Sequence, residues 1–292
     1  MLSTTLLGSV LLLAPPVIDG IGPAGEVRVA TEGLVFTEGP AGGPDGSLYF
    51  SDPPQQKIYE LKEDGTRRLL AENTHMCNGL AVDRKGMIIA CQGASGKLVS
   101  IDPATGALTP FAESYKGVRF NQPNDLVLDS VGGVYFTDPM YGLPNGPQKT
   151  MGLYYVASNK EVARLAEGLP LPNGIGLSPD EKTLYVVTIR TKELLAYSVK
   201  SPGVLIDRRV FCTTATGSDG ITVDSAGNVY VTQPSLSAID VFSPAGKKLG
   251  SLSFESRPAN CGFGGKDGKT LFVTARKTVY AVPMYVRGIG FK

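Results

Sequence analysis

The chain has few of the residues on which many functional sites depend. Its 292 residues include no tryptophan, one histidine, His75, and four cysteines, Cys77, Cys91, Cys212 and Cys261. The cysteines show no C-x-x-C spacing, and a single histidine excludes a histidine-rich zinc or iron site. Any chemistry must therefore depend mainly on carboxylates, amides, hydroxyls and a bound ion.

The sequence also lacks an excess of either charge and a long apolar segment. Lys and Arg number 28 against 27 Asp and Glu, so there is no basic field for a phosphate backbone and no nucleic-acid partner is expected. The apolar run from Leu6 to Ile18 is too short to span a membrane and contains Pro15 and Pro16. It resembles the apolar part of a signal peptide, although no Lys or Arg precedes it. We expect residues 1–25 to be a signal peptide or a disordered terminus, and a secreted or periplasmic location over a cytoplasmic one.

Glycine is plentiful, and one sequence pattern recurs. Gly makes up 36 of the residues, about 12% against a usual ~7%, which predicts many turns. Six times, turn residues precede a short strand of aromatic or β-branched residues that ends in or beside Thr, Ser, Asp or Cys. The copies are GPDGSLYFSD (43–52), VDRKGMIIAC (82–91), LDSVGGVYFTD (128–138), SPDEKTLYVVT (178–188), VDSAGNVYVT (223–232) and GKDGKTLFVTA (265–275).

The spacing of the copies predicts the fold class. From Gly46 in the first copy to Gly268 in the last, the mean period is about 44 residues, the length of one four-stranded propeller blade. The second copy, for example, divides into four short strands within residues 78–112. We therefore predict an all-β, six-bladed β-propeller formed by residues 26–292. A β-sandwich of about two dozen strands is the alternative, but it gives no reason for six repeats.

The last blade lacks a fourth strand within its own repeat. The segment EVRVATEGL (26–34) matches the fourth strands of other blades, such as EVARLAEGL (161–169). We predict that this N-terminal strand completes blade six, which would leave no exposed sheet edge at the closure. Deletion of residues 1–33 should then destabilise the protein, whereas deletion of 1–22 should be tolerated.

Six polar residues occupy one position of the repeat. Each lies eight residues before its turn marker and carries an amide or a carboxylate: Glu38, Asn78, Asn124, Asn173, Asp219 and Asn260. A single such residue before Gly is an ordinary turn signal, but six in phase predict a ring at one mouth of the channel. Two carboxylates balance one divalent cation, and oxygen ligands suit Ca²⁺, with Mg²⁺ or Mn²⁺ as alternatives.

Strand parity places further residues on the face of this ring, because loops after second strands and loops between blades return to it. The longest loop of the first kind, Pro139–Met151, contains Tyr141 and is either a specificity loop or a plain long turn. His75 is a candidate base or an ordinary loop residue. The arginines on this face could hold a carboxylate or be solvated charges, namely Arg119, Arg190 and Arg276.

Seven phrases of the sequence together resemble a known family. They are FTEGP (36–40), NGLAVD (78–83), QPNDLVLD (122–129), YFTDPMYG (135–142), LPNGIGLSPDEKTLYV (171–186), SDGITVD (218–224) and NCGFGGKDGKTLFVTA (260–275). Over residues 30–280 the chain resembles the family of gluconolactonase, regucalcin and luciferin-regenerating enzyme. That family is similar to the diisopropyl-fluorophosphatase and paraoxonase propellers. The resemblance implies six blades and one catalytic cation in the central channel.

The resemblance also implies roles for individual residues. The implied metal ligands are Glu38, Asn124, Asn173 and Asp219, and Asp219 is also the implied proton acceptor and donor. Asn124 is credited with the substrate in some lactonases, and we add Asn78, Arg119 and Tyr141 as candidate substrate contacts. Asp125 could orient the metal ligands without binding the metal itself. The chain departs from the family at Ala41, where an aromatic often follows E-G-P, and at Gln122, where some members have Arg.

The function predicted is hydrolysis of a lactone, with a sugar aldonolactone as the substrate and one divalent cation, Ca²⁺ before Mg²⁺, Mn²⁺ or Zn²⁺. We expect a monomer whose partner is this small molecule. One alternative is hydrolysis of a phosphotriester or aryl ester at the same ion. The other is a non-catalytic propeller that binds protein or glycan, since fold alone does not fix function. The pairing of Glu38 with Asp219 in one ring argues against the latter.

Overall fold

The structure is a computed structural model that describes residues 17–142 and 145–290. These residues form 24 β-strands in six separate four-stranded antiparallel sheets, and they contain no α-helix. Two short 3₁₀ turns, Pro53–Gln55 and Pro234–Leu236, are the other regular elements. The six sheets are the blades of a β-propeller, so the predicted fold class is confirmed. Within the described ranges no helix is long and apolar enough to cross a membrane.

Five of the blades use four strands that are consecutive in the chain. Blade 1 consists of β2 (Glu38–Gly42), β3 (Leu48–Asp52), β4 (Lys57–Leu61) and β5 (Arg67–Glu72). Blade 2 consists of β6 (Cys77–Val82), β7 (Ile88–Gln92), β8 (Lys97–Ile101) and β9 (Leu108–Ala112). Blade 3 consists of β10 (Leu126–Leu128), β11 (Val134–Asp138), β12 (Gly152–Val156) and β13 (Val162–Glu167). Blade 4 consists of β14 (Pro172–Leu177), β15 (Thr183–Thr188), β16 (Glu193–Ser201) and β17 (Val204–Thr213). Blade 5 consists of β18 (Ile221–Val223), β19 (Val229–Gln233), β20 (Ala238–Phe242) and β21 (Lys248–Ser253).

Blade 6 combines the two ends of the described chain. Its strands are β22 (Asn260–Gly264), β23 (Thr270–Ala275), β24 (Thr278–Pro283) and, at the outer edge, β1 (Arg28–Glu32). Strand β1 runs antiparallel to β24, in a register from Arg28 opposite Ala281 to Glu32 opposite Thr278. The outer edge of the last blade is therefore formed by a strand from the beginning of the sequence.

The residues before β1 also pack on this blade. Ile18 and Ile21 are each 6% exposed and join the apolar core between blades 5 and 6 beside Met284. The backbone N–H of Tyr285 donates to the carbonyl oxygen of Ile21 over 3.0 Å. The tolerance of a deletion of residues 1–22 stays a prediction, and the structure argues against it, because the deletion would remove Ile18 and Ile21 and expose the apolar surface that they cover. Residues 1–16, which hold most of the predicted leader, lie outside the described residues.

The core of the propeller lies between the blades, where each blade packs its two faces against its two neighbours. Strand β3 shows the consequence, because all five of its residues are buried. Tyr49 packs into the core shared with blade 2, and the next residue, Phe50, packs into the core shared with blade 6. A strand covered on both faces reads as a continuous apolar run instead of an alternating one. This is why the repeat appears in the sequence as runs such as LYF, VYF and LFV.

The hydroxyl groups near the ends of the second strands join neighbouring blades close to the channel. Ser51 donates to the carbonyl oxygen of Asn78 over 2.7 Å, and Thr137 donates to that of Asn173 over 2.7 Å. Thr232 likewise donates to the carbonyl oxygen of Ala259 over 3.0 Å. Each bond links one blade to the inner strand of the next. The Ser or Thr that ends several copies of the repeat therefore has a structural role.

Candidate active site

A cavity of about 350 Å³ opens at the centre of the propeller. It is lined by five of the six predicted ring residues, which are Glu38, Asn78, Asn124, Asn173 and Asp219. All the lining residues come from three places: the start of a first strand, the loop before it, or the loop after a second strand. The parity argument for the face of the site is confirmed.

The glycines after the ring residues allow the inner strands to approach one another closely. A Cβ atom on Gly174 would lie 2.6 Å from the carbonyl oxygen of Asp219, and one on Gly79 would lie 2.8 Å from that of Asn124. The backbone N–H groups of both glycines instead donate to these carbonyls, over 3.0 Å and 2.8 Å. The pairs Asn78-Gly79 and Asn173-Gly174 are therefore points of close contact between blades, and not ordinary turns.

Carboxylates at the ends of second strands hold the loops that lead into the cavity. Asp138, at the end of β11, accepts the backbone N–H groups of Asn121 and Gln122 over 2.9 Å and 2.8 Å. Asp52, at the end of β3, accepts the N–H groups of Val35 and Phe36 over 2.9 Å and 3.2 Å. These bonds fix the loop before Asn124 and the loop before Glu38. The Asp that ends each of these two second strands therefore positions a loop of the site.

Asn173 connects two other residues of the site. Its Nδ2 donates to Asp219 Oδ1 over 2.6 Å and contacts the hydroxyl oxygen of Tyr141 over 2.6 Å. Burial raises the pKa of Asp219 to about 7, although the bond from Asn173 lowers it in part. Tyr141 is 37% exposed as a whole, but desolvation of its phenol and the nearby charges of Asp219 and Glu38 hold the pKa of that phenol above its ordinary value.

Three carboxyl groups from different blades lie near enough for their charges to affect one another, namely Glu38, Asp125 and Asp219. Burial, followed by the charges of Asp219 and Asp125, raises the pKa of Glu38 well above its ordinary range. Burial also raises the pKa of Asp125 to about 6. Asn260 donates from Nδ2 to Asp125 Oδ2 over 3.3 Å, and its amide also lowers the pKa of Glu38 in part. Asn260, the sixth member of the ring, therefore supports these carboxylates and is not among the residues that line the cavity.

Four residues predicted on the face of the site are not among the described residues that line the cavity, namely His75, Arg119, Arg190 and Arg276. Arg119 was expected to contact substrate, but its guanidinium donates to the carbonyl oxygens of Phe120 and Asn121, in its own loop, over 3.3 Å and 3.5 Å. His75 is exposed, and its carbonyl oxygen accepts the backbone N–H of Ala94. The backbone carbonyls beside Arg119 thus hold this side chain away from the cavity.

Apolar side chains also line the cavity, and the sequence did not predict them. They come from loops on the predicted face and are Phe36, Pro53, Met76, Pro123 and Ile189. Each lies shortly before a first strand or after a second strand, so their positions in the repeat could have identified them. Arg276 stacks on the ring of Phe36 at 5.1 Å from its centroid. Its charge also lowers the pKa of Asp219.

The donor chemistry of the site fits a hard cation. No group of three or more His, Cys, Asp or Glu that could hold a metal ion occurs among the described residues. The cavity instead offers the carboxylates of Glu38 and Asp219 together with the side-chain amides of Asn124 and Asn173. Oxygen donors of these types suit Ca²⁺ or Mg²⁺, and a cation would relieve the mutual repulsion of the two carboxylates.

The fold and the site together define a six-bladed propeller with a ring of amides and carboxylates at the mouth of its channel. Residues 31–277 match the model of the SMP-30/Gluconolactonase/LRE-like region, and the chain belongs to this family. It is 32% identical to a gluconolactonase of Zymomonas mobilis over 289 residues, which cover 88% of this chain and 80% of the relative. It is 28% identical to the lactonase drp35 of Staphylococcus haemolyticus, over 77% of this chain and 70% of the relative.

A solved structure is similar along nearly the whole chain. The gluconolactonase of Xanthomonas campestris superposes with a TM-score of 0.82 at 29% sequence identity, covering 88% of this chain and 89% of its own. The similarity therefore extends over most of both chains.

Proposed function

We propose that the protein is an enzyme that hydrolyses lactones at a site that holds one divalent cation. The observation that carries the proposal is the convergence of Glu38, Asn124, Asn173 and Asp219, from four different blades, on one cavity. A non-catalytic scaffold has no need for buried carboxylates, which are costly without a counter-charge. The names of the relatives, gluconolactonase and lactonase, support the reaction class.

The four residues would hold the cation through oxygen atoms. The amide of Asn173 presents Nδ2 to Asp219 in the structure, and rotation of the amide about its last bond would bring its oxygen to the same place. Ca²⁺ is the first candidate ion because the donors are all hard oxygens, followed by Mg²⁺ and Mn²⁺. When bound, the cation supplies Lewis-acid polarisation of the lactone carbonyl.

Asp219 is the proposed proton acceptor and donor. Its Oδ1 accepts the bond from Asn173, which leaves Oδ2 for the proton of an attacking water. Burial raises its pKa to about 7 in the protein without a cation, and a bound cation would lower the pKa and keep the group ionised as a base. The same group would then return the proton to the ring oxygen as the ester bond breaks. Because the ester is part of a ring, hydrolysis gives a single product, a hydroxy acid.

Three further residues are positioned to contact the substrate. Tyr141 and Asn78 line the cavity, and Asn124 can serve either the cation or the substrate. The backbone N–H of Tyr141 donates to the side-chain oxygen of Gln122, which fixes the start of its loop over the cavity. Arg119 stays a predicted substrate contact, although its guanidinium donates to its own loop and the residue is not among those that line the cavity.

Metal depletion and reconstitution test this proposal. The protein is treated with a strong chelator, dialysed and assayed with a panel of lactones and one aryl ester before and after each divalent cation is added. We expect lactone hydrolysis to disappear with the cation and to return with it. Full lactonase activity in protein shown by elemental analysis to be metal-free would contradict the cation requirement. Hydrolysis of the aryl ester alone would contradict the reaction class.

A further inference from the structure

The segment that leads into Asp219 is held by the side chain of Gln233, which ends β19 and is fully buried. Its Oε1 accepts the backbone N–H of Thr216 over 3.3 Å and the hydroxyl of the same residue over 3.1 Å. Its Nε2 donates to the hydroxyl oxygen of Ser218 over 2.6 Å. Because Ser218 directly precedes Asp219, the amide of Gln233 holds the chain right up to the proposed proton acceptor.

Two hydroxyl groups complete this network. Ser218 Oγ donates to Thr214 Oγ1 over 3.1 Å, and Thr214 donates to the carbonyl oxygen of Thr216 over 2.7 Å. Thr214 and Ser218 are both buried. The bonds thus run from Gln233 through both hydroxyls to Thr216, which Gln233 also holds. A buried network whose members satisfy one another favours a single conformation of the segment.

The position of Gln233 in its blade carries a carboxylate in blades 1 and 3. Asp52 and Asp138 also end second strands, and each accepts two backbone N–H groups, for which a carboxylate suffices. The partners of Gln233 include acceptors, since its Nε2 also donates to the carbonyl oxygen of Thr232 over 3.3 Å. An ionised carboxylate has no proton to donate, whereas an amide offers donors and an acceptor. The network in blade 5 therefore requires an amide.

The chain after Asp219 is fixed by different bonds. The N–H of Gly220 donates to the carbonyl oxygen of Ala259 over 2.8 Å, and the N–H of Thr232 donates to that of Gly220 over 3.1 Å. The Gln233 network holds the chain on the other side of Asp219. A catalytic group that is misplaced by about 1 Å can cost about a hundredfold in rate, so both attachments matter for proton transfer.

We infer that Gln233 is a positioning residue, whose side-chain amide fixes residues 214–218 and thereby sets the place of the Asp219 carboxylate in the cavity. Gln233 is not among the described residues that line the cavity, so it acts through Thr216 and Ser218. The inference rests on the proposed role of Asp219 in lactone hydrolysis.

A matched pair of variants tests the inference. Gln233→Met keeps the length of the side chain and removes both amide groups. Gln92→Met is the control, because Gln92 is buried at the end of β7, the same position in blade 2, and its Oε1 accepts the hydroxyl of Ser95 in the loop that follows. Both are assayed as folded, Ca²⁺-saturated enzyme with the lactone that the unmodified enzyme hydrolyses fastest.

We expect kcat to fall at least about tenfold in Gln233→Met while KM changes by less than about threefold, because the reacting carboxylate moves and the rest of the cavity does not. In Gln92→Met kcat should stay within about twofold. A kcat within twofold in Gln233→Met, or an equal loss in Gln92→Met, would overturn the inference while lactone hydrolysis still stood. No turnover of any lactone by the unmodified enzyme would overturn the proposed function itself.

A milder variant and a second measurement cover a failure of Gln233→Met to fold. Ser218→Ala removes one hydroxyl of the network and should lower kcat about threefold or more with a small change in Tm; an unchanged kcat would contradict the inference. Hydrogen exchange of the cation-free protein does not depend on turnover. The amides of residues 214–219 should exchange faster in Ser218→Ala than in the unmodified protein, and equal rates would show that the network does not fix this segment.

Discussion

Asn173 and Asp219 are joined by a hydrogen bond of 2.6 Å from Nδ2 to Oδ1, although they are 46 residues apart in the chain. The bond links the inner strands of blades 4 and 5 at the cavity. The backbones of the same two blades are also joined, since Gly174 donates its N–H to the carbonyl oxygen of Asp219. A residue with a proposed role in proton transfer is thus held by its neighbouring blade through both side chain and backbone.

The first prediction separates the two roles proposed for Asp219. Asp219→Asn keeps the size of the side chain and one oxygen donor but removes the charge and the proton acceptor. We expect weaker cation binding and a fall in kcat of at least about a hundredfold, as is typical for loss of a general base. Steady-state kinetics at saturating cation measure this. Full rescue by added cation would show that Asp219 is only a ligand.

Two matched variants show whether the loss is specific. Glu38→Gln should fail mainly in cation affinity, so excess cation should restore much of its activity. Asn173→Asp keeps an oxygen donor and adds charge, so it should bind the cation at least as well as the unmodified protein. It should also lose less activity than Asp219→Asn. Calorimetric titration with Ca²⁺ gives the affinities for all three.

The second prediction concerns competition between protons and the cation. The pKa values of Asp219 and Asp125 are raised to about 7 and about 6, so both hold protons in the cation-free protein at mildly acidic pH. A cation binds the carboxylate form, so it must displace a proton from each carboxyl group that is protonated. For each proton displaced, the apparent affinity for the cation should fall by about tenfold for each unit that the pH is lowered below 7. Calorimetric titrations in buffers of different ionisation enthalpy should show that protons are released when the cation binds. An affinity that does not change from pH 5 to pH 8 would contradict this prediction.

The same groups should make the stability of the cation-free protein depend on pH in a defined direction. Between about pH 4 and pH 7 the folded state holds protons that the unfolded state has lost, so the free energy of unfolding falls as pH rises through this range. Thermal denaturation of chelated protein should give a lower Tm at pH 7.5 than at pH 5. Asp219→Asn should show a smaller difference, because one of the responsible groups is gone.

The third prediction concerns the N-terminal residues. Deletion of 1–33 removes β1 and exposes the edge of β24, and it also removes Ile18 and Ile21 from the core. Deletion of 1–22 removes only the isoleucines, at a cost of about 1.5–3 kcal/mol for each fully buried side chain. Deletion of 1–16 removes no described residue. The Tm should fall in the order 1–16, 1–22, 1–33, and equal values for the last two would contradict a stabilising role for β1.

The fourth prediction tests the close contact between inner strands. Gly174→Ala would place a Cβ atom 2.6 Å from the carbonyl oxygen of Asp219, and the blades would have to separate. Overpacking of this kind costs about 1–3 kcal/mol, and the shift should also lower lactonase activity. Gly25→Ala is the matched control, because its Cβ would lie 3.4 Å from its nearest neighbour, an ordinary contact. Thermal denaturation and kinetics of the pair measure both effects.

The fifth prediction addresses His75. It is exposed in the loop before β6 and is not among the described residues that line the cavity, so His75→Ala should retain most of the activity. The measurement is kcat at saturating lactone. A loss above about a hundredfold would instead be typical of the removal of a general base and would place His75 in the mechanism.

The sequence by itself determined the architecture and the position of the site. The period of about 44 residues reflects one blade, and blades are regular because each buries its two faces against neighbours of the same architecture. The polar ring could be found because it recurs eight residues before every turn marker. Each repeat carries this pattern in its own sequence, so the pattern can be recognised without knowing how the repeats pack.

The tertiary structure alone decided which of the predicted residues meet and what surrounds them. Strand parity makes Arg119 a candidate substrate contact, because its loop lies on the face of the polar ring. In the structure its guanidinium donates to the carbonyl oxygens of the next two residues. Phe36, Met76 and Ile189 come from different blades and have no common motif, so they line one cavity only because the ring of blades brings their loops together. The raised pKa of Asp219 likewise depends on burial, which arises from packing between blades and from no single segment.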